Sequence, residues 1–197
     1  GATPDYVSNF GIDTSRIMHI PVKHLEAFIV DIANRLKEVE RGEKIFIFID
    51  SIGQMASLRE IENAIKDNIT ADVGGRGKTQ KSMWRIAAGE IVTKDLTCVS
   101  ISHTYKTMEI CSKEIASIGT GGEYAANQIF VITKSQEKEG DAVVGTNFKI
   151  TAQKSRFVHE RSQVTFTVYK NAGISKYSGL IDLGLESGVI VKPSSFL

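Results

Sequence analysis

The stretch KIFIFIDSIG, residues 44–53, decides the fold class of this chain. It contains an unbroken apolar run from Ile45 to Ile49, without the alternation of a strand that has one face in water. Such a run predicts a strand covered on both faces, as in the parallel sheets of α/β proteins. Asp50 and Ser51 follow at its C-terminal end, where open α/β sheets bind their ligands.

The segments around this strand predict further helices and parallel strands. Before it, residues 23–41 carry apolar side chains at helical spacing, and Gly42 follows as a stop. After it, a helical pattern surrounds Met83, and two more apolar strands are predicted at residues 96–102 and 129–133. Strands that alternate with helices predict right-handed crossovers and a parallel sheet.

The last third of the chain alternates apolar and polar residues. Residues 148–153 and 163–169 show this pattern, which predicts antiparallel strands added to the edge of the sheet. We therefore expect one α/β domain over residues 1–197, with a mostly parallel sheet, flanking helices and antiparallel edge strands.

The composition fits this expectation and narrows the function. The 197 residues are 42% hydrophobic and 24% charged, with a formal net charge of +1, so a nucleic-acid site requires a local cluster of cations. Cys98 and Cys111 predict free thiols in a reducing compartment, which indicates the cytoplasm. No apolar run is long enough for a membrane span, and the start without Met suggests a fragment or a processed product.

Polar side chains at the ends of the first two predicted strands are the first candidates for chemistry. Asp50 and Ser51 follow one strand, and Ser102 and His103 follow the next. An aspartate at a strand end can hold Mg²⁺ for a nucleotide, although such an aspartate also caps turns. A single histidine in this place is either a functional group or a structural one.

The segment DVGGRGKT, residues 72–79, nearly matches a phosphate-binding loop. Asp72 stands where the motif requires its first glycine, and no buried strand precedes the segment. We therefore predict a mobile loop at Gly74, Gly75 and Gly77.

Local clusters of cations and glycines follow this segment. Lys78, Lys81 and Arg85 recur at helical spacing on one face, which is either a stripe that tracks phosphates or a solvated basic face. Gly121 and Gly122, just before a predicted short helix, either present backbone amides to a phosphate or form a turn.

A second pair of cations lies in QKSRF, residues 153–157. Lys154 and Arg156 are two residues apart, so a strand would point both side chains the same way. Two like charges side by side require an anion or solvent.

Taken in order, these segments resemble the RecA recombinase family, and most closely its phage UvsX-type branch. The resemblance runs along the chain through GATPDY (1–6), KIFIFIDSIG (44–53), CVSISHTY (98–105), GTGGEYA (119–125), QKSRF (153–157) and AGISKYSGLIDLG (172–184). It implies the C-terminal part of a RecA-like P-loop ATPase core, with ATP and Mg²⁺ as cofactors. It also implies single-stranded and double-stranded DNA and a helical filament of identical subunits as partners.

The resemblance also implies roles for residues around the nucleotide. Asp50 would be the aspartate that holds Mg²⁺, with Ser51 beside it, and Tyr6 would stack on adenine. His103 would sense the γ-phosphate and begin the second DNA-binding loop. Ser102 replaces a common asparagine of the family.

For DNA and for the neighbouring subunit, the implied residues are the clustered cations and glycines. Lys154 and Arg156 would reach across the filament interface to the ATP of the neighbour. The implied DNA-binding residues are Lys78, Lys81, Arg85, Gly121 and Gly122.

Members of the family carry a phosphate-binding loop and a catalytic glutamate upstream of the segment that matches GATPDY. The sequence contains neither, so we expect a missing N-terminal segment or partner half, and no ATP hydrolysis by the chain alone. Two alternative functions remain at this point. One is an accessory DNA-binding protein of the same fold without hydrolysis, and the other is a hexameric helicase.

Overall fold

A computed structural model describes residues 3, 7–8, 11–67, 73–106, 114–116, 119–170, 173–174 and 177–191. The chain divides into two compact units, Gly1–Ala125 and Ala126–Leu197, which are described separately.

The first unit combines helices with a parallel pair of strands. Its elements are helix α1 (Leu25–Glu38), strand β1 (Phe46–Ile49), a 3-10 turn (Ile52–Gln54), helix α2 (Leu58–Ile65), helix α3 (Val73–Thr93), strand β2 (Thr97–Ser100), the antiparallel pair β3 (Thr104–Lys106) and β4 (Glu114–Ala116), and helix α4 (Gly119–Ala125). Strands β1 and β2 pair in parallel, with Ile49 opposite Ser100. The predicted parallel arrangement of these two strands is confirmed.

The hydrophobic core of this unit lies between α1, α3 and the inner face of the two strands. Helix α1 buries one residue per turn, and α3 contributes two large side chains and Ala87 from the opposite side. The main buried residues are Leu25, Phe28, Ile32, Leu36, Ile49, Ile52, Met83, Trp84, Ala87 and Leu96. The apolar spacing of residues 23–41 therefore predicted the helix and its buried face.

Strand β1 departs from the expectation that both of its faces are covered. Ile49 points into the core and is 4% exposed, whereas Phe46 and Phe48 on the other face are 60% and 53% exposed. Val99, opposite Phe48 in the register, is also exposed. The outer face of the pair is thus apolar and open in the described chain.

Helix α3 begins earlier than the sequence indicated. The mobile loop predicted at Gly74, Gly75 and Gly77 is wrong, because these glycines lie in the first turns of the helix. Glycine weakens a helix by about 1 kcal/mol per residue, but contacts elsewhere can outweigh this propensity. Arg76 and Gln80, described below, supply such contacts.

The second unit is an antiparallel sheet with one short helix. Its strands are β5 (Gln128–Glu139), β6 (Ala142–Ser155), β7 (Gln163–Tyr169) and β8 (Gly173–Ile174), paired in that order, and helix α5 spans Leu180–Glu186. Phe148 and Phe166 stack across β6 and β7 with ring centroids 5.5 Å apart. The antiparallel strands predicted at residues 148–153 and 163–169 are confirmed, but the described strands pair within a four-stranded sheet of their own and do not extend the edge of the β1–β2 pair.

The strand predicted at residues 129–133 forms, but its pairing differs from the prediction. It is the first part of β5, which continues to Glu139 and returns through Gly140 and Asp141 into β6. A two-residue connection joins only antiparallel strands, so the hairpin fixes the direction of pairing. Among the described strands the α/β class is confirmed, whereas parallel pairing is confined to β1 and β2.

Candidate functional site

The ends of β1 and β2 bring the strand-end residues together. Beyond the strands, the amide of Ile101 donates to the carbonyl of Ile49 at 2.9 Å, and the amide of Ile52 donates to the carbonyl of Ile101 at 3.1 Å. These bonds hold residues 50–51 beside residues 102–103. The sequence prediction that adjacent strands deliver these residues to one edge is therefore confirmed.

A side-chain hydrogen bond joins the two loops at this edge. Nε2 of Gln54 lies 3.0 Å from Nε2 of His103. When the amide of Gln54 donates this bond, the imidazole of His103 accepts it and is neutral, with its proton on Nδ1. Both side chains are exposed.

The side-chain oxygens at the ends of the strands are ligands of the kind that Mg²⁺ prefers. The described part of the chain gathers no group of three or more His, Cys, Asp or Glu side chains. Mg²⁺ needs no such group, because it keeps several waters and takes one or two carboxylates together with the phosphates of a nucleotide. The exposed carboxylate of Asp50 and the neighbouring hydroxyl of Ser51 fit this limited role.

The predicted basic stripe lies on the solvent side of α3. Lys78, Lys81 and Arg85 are exposed, whereas Met83 and Trp84 on the other side are buried. The chain therefore presents the side chains of these three cations to solvent on one helical face. This arrangement suits a phosphate backbone, which is bound chiefly by its charge.

The two predicted DNA-binding segments of the first unit meet at one point. Gly121 lies in α4, inside the helix and not before it, and its backbone packs directly on α3. A Cβ placed on Gly121 would lie 2.7 Å from the Cα of Lys81. Close helix packing is therefore a reason for glycine at this position, beside any contact with phosphate. Gly122 is buried in the same helix.

Two residues of α3 that the sequence reasoning missed attach this helix to the strand-end turn. The guanidinium of Arg76 donates to the carbonyl of Gly53, and Nε2 of Gln80 donates to the carbonyl of Ile52 at 3.5 Å. Gln80 is 4% exposed. Its position three residues before Met83 places it on the apolar side of the helix, and this spacing could have identified it.

The paired cations of QKSRF lie in the second unit. Lys154 is half-buried near the end of β6, and Arg156 is exposed just beyond the end of the strand. The hydroxyl of Ser155 accepts hydrogen bonds from the amides of Phe157 and Val158, each at 3.0 Å, which bends the chain here. The prediction that one strand orients both cations is therefore wrong, because the strand ends between them.

The remaining predictions concern the thiols, adenine binding and membranes. Cys98 is a free thiol on the inner face of β2, and burial raises its pKa to about 11. Tyr6 and Cys111 lie outside the described residues. Among the described helices, none is long and apolar enough to cross a bilayer.

Comparison with known proteins reveals similarity along almost the whole chain. It is 42% identical over 195 residues to a protein named "Recombination and repair protein" from Enterobacteria phage T4, which covers 99% of this chain and 50% of that protein. It is 25% identical to "Protein RecA" of a Nocardioides species and 24% identical to "Protein RecA" of Acidothermus cellulolyticus. These two alignments cover 98% of this chain and 54% and 55% of the relatives.

No family model matches the chain. The chain spans about half the length of the curated relatives it matches. The alignments nevertheless cover almost the whole chain and therefore extend over both units. They confirm the resemblance to the RecA recombinases and to their phage branch.

Proposed function

We propose that this chain is part of a longer ATP-dependent DNA recombination and repair protein. Such a protein would polymerise on single-stranded DNA and pair it with double-stranded DNA. The observation that carries this proposal is the 42% identity to the phage T4 "Recombination and repair protein" along 99% of the chain. That alignment includes the strand-end residues, the basic face of α3 and the cations of QKSRF.

ATP and Mg²⁺ are the cofactors of this proposal. Asp50 would hold the metal through its carboxylate with Ser51 beside it, and Tyr6 would stack on the adenine. The metal would neutralise charge on the phosphates. His103 would donate a hydrogen bond from Nδ1 to an oxygen of the γ-phosphate, and the exposure of this side chain supports the proposal. We also propose that both units are parts of one RecA-like core over residues 1–197, with β1 and β2 as part of a mostly parallel sheet.

The basic face of α3 would bind the DNA backbone. In the longer protein, changing Lys78, Lys81 and Arg85 to Ala should weaken binding to single-stranded oligonucleotides with little dependence on sequence. Each lost phosphate contact reduces the salt slope of log K by about 0.7, so the triple variant should lose about 2.

A matched control removes the same charge elsewhere in the first unit. Lys37, Arg41 and Lys44 are exposed cations outside α3, and their Ala variants should keep the slope of the wild type. If the α3 variant binds single-stranded DNA as tightly as this control and with the same salt slope, the basic face of α3 does not bind DNA and is only a solvated surface.

The open apolar face of β1 and β2 supports a covering layer from the rest of the protein. Parallel sheets are normally covered on both faces, yet Phe46 and Phe48 are more than half exposed. The curated relatives have about as many residues outside the matched region as within it. We propose that residues of this additional length pack on the open face, as the missing N-terminal segment or partner half.

A substitution on this face can test for the covering layer. Phe48→Lys should change the stability of the chain alone by less than about 0.5 kcal/mol, as surface changes do. In the longer protein the same change should cost several kcal/mol, because it buries an unpaired charge. Ile49→Lys is the matched control. Ile49 is 4% exposed, so this substitution should destabilise both the chain alone and the longer protein. Equal effects of Phe48→Lys in both forms would contradict the covering layer.

Filament formation separates this proposal from the alternatives. Electron microscopy of the longer protein with ATP and single-stranded DNA should show helical filaments, whereas a helicase of the same fold would show rings. Purified protein that binds DNA without turning over ATP would instead indicate the accessory function.

A further inference from the structure

The 3-10 turn Ile52–Gln54 is bonded to elements on both sides. It follows Asp50 and Ser51 directly, and its residue Gln54 makes the 3.0 Å side-chain bond to His103. The same turn is joined to the end of β2 through the amide of Ile52. One side of the turn is therefore fixed to the strand-end residues.

The other side of the turn is fixed to α3 by side chains. Arg76 donates to the carbonyl of Gly53, and the buried amide of Gln80 donates to the carbonyl of Ile52. These two residues flank Lys78 on the helix, and Lys81 follows directly after Gln80. A shift of the turn would thus move the backbone that carries the first two cations of the basic face.

The same turn of α3 also touches α4. The Oε1 atom of Gln80 would lie 3.5 Å from a Cβ placed on Gly119, and Lys81 packs on Gly121. Gln80 therefore lies between the strand-end turn and the first residue of the GTGGEYA helix. All of these contacts are within the first unit.

We propose that Arg76 and Gln80 are positioning residues that transmit changes at the strand-end turn to the basic face of α3. This inference rests on the proposed function, because it supplies a route from the nucleotide site to the DNA-binding face. A nucleotide that rearranges His103 and Gln54 would displace the turn, and the two side chains would pass the displacement to Lys78 and Lys81.

Arg76 could also be a fourth cation of the basic face, and its surroundings distinguish the two roles. Its side chain is half-buried and its guanidinium is directed at a backbone carbonyl, whereas Lys78 and Lys81 are exposed. A residue that binds phosphate needs its charge free for the ligand. The geometry therefore favours positioning.

The connection can be tested in the chain alone by NMR. Gln54→Ala should shift the backbone amide resonances of Lys78 and Lys81. In an Arg76→Ala background, and in an Arg76→Ala/Gln80→Leu background, these shifts should fall by about threefold or more, as coupled residues require. If Arg76→Ala/Gln80→Leu folds poorly, the comparison is made in the Arg76→Ala background alone. An Arg41→Ala background, with the same loss of charge at an exposed site, should leave the shifts unchanged.

Two results in the chain alone would overturn the connection. One is the absence of shifts at Lys78 and Lys81 after Gln54→Ala. The other is shifts of equal size with and without Arg76. Neither result depends on any recombinase activity.

The longer protein gives the functional test. Its affinity for a single-stranded oligonucleotide with an ATP analogue, divided by that with ADP, should be about 5- to 150-fold, the usual range of coupling between sites. Arg76→Ala should bring this ratio from about 5- to 150-fold toward one and leave the salt slope unchanged, whereas Arg41→Ala should alter neither.

The possible failures are distinguishable. A salt slope reduced by about 0.7 in Arg76→Ala would make Arg76 a phosphate ligand and overturn its positioning role. An unchanged ratio of DNA affinities in Arg76→Ala would also overturn the positioning role. A ratio near one in the wild type would contradict the proposed function itself, while the NMR result would still decide the connection.

Discussion

Replacing Gly121 by Ala tests how closely α4 packs on α3. The new Cβ would lie 2.7 Å from the Cα of Lys81 and 3.0 Å from its Cβ and Cγ. Carbon atoms in good contact are about 3.5–4.0 Å apart, so the helices must separate by about 1 Å. The side chain of Lys81 can rotate away, but its Cα cannot.

The expected magnitude follows from two opposing contributions. Overpacking of this kind costs about 1–3 kcal/mol. Replacing glycine inside a helix stabilises it by about 0.5–1 kcal/mol. Gly121→Ala should therefore reduce the free energy of unfolding by up to about 2.5 kcal/mol, and by about 1 kcal/mol in the middle of the two ranges.

Gly89→Ala is the matched control. Gly89 lies inside α3, and a Cβ there would meet nothing within 4 Å. This variant should gain about 0.5–1 kcal/mol from helix propensity alone. The difference between the two variants isolates the contact between the helices.

Urea unfolding monitored by tryptophan fluorescence provides the assay. The chain has a single tryptophan, and Trp84 is buried in the core of the first unit next to this contact. If Gly121→Ala raises the unfolding midpoint as Gly89→Ala does, the close packing is refuted, and phosphate binding becomes the better reason for this glycine.

Three further predictions concern the thiol, the nucleotide switch and the subunit interface. Burial raises the pKa of Cys98 from 9.0 to about 11, so between these pH values the folded chain keeps a proton that the unfolded chain loses. The free energy of unfolding should therefore fall as pH rises from about 9 to about 11. In urea titrations at several pH values, Cys98→Ala should remove this dependence on pH. In the longer protein, His103→Ala should bring the ratio of DNA affinities with an ATP analogue and with ADP close to one, and a retained ratio would exclude His103 as the switch. Ala at both Lys154 and Arg156 should abolish filament ATPase but not nucleotide binding by a monomer, and mixed filaments with intact neighbours should recover activity; failure of this rescue would place the pair in cis.

The local patterns predicted most elements because each depends on neighbours in the sequence. The apolar spacing of α1, the runs of β1 and β2 and the alternation of β6 and β7 all appear in the structure. The delivery of Asp50 and His103 to one edge of the strand pair followed as well, since parallel strands end at one edge of a sheet.

Three of the incorrect predictions depend on pairing or packing that the local pattern does not contain. The start of α3 depends on Arg76 and Gln80 reaching the turn after β1, more than twenty residues away in sequence. The direction of β5 depends on the hairpin at Gly140, and the exposure of Phe48 depends on what covers the sheet. Propensity is a weak guide where such long-range contacts decide.

The sequence by itself determined the α/β class, the resemblance to RecA recombinases and the chemical type of each candidate site residue, because these follow from residue identity, order and spacing. Only the tertiary structure decided which of them meet. It packs Gly121 against Lys81 and joins Gln54 to His103 by a hydrogen bond. It also joins Arg76 to the carbonyl of Gly53 in the turn after β1. Contacts of this kind depend on the packing of elements that are distant in the chain, and no local pattern encodes that packing.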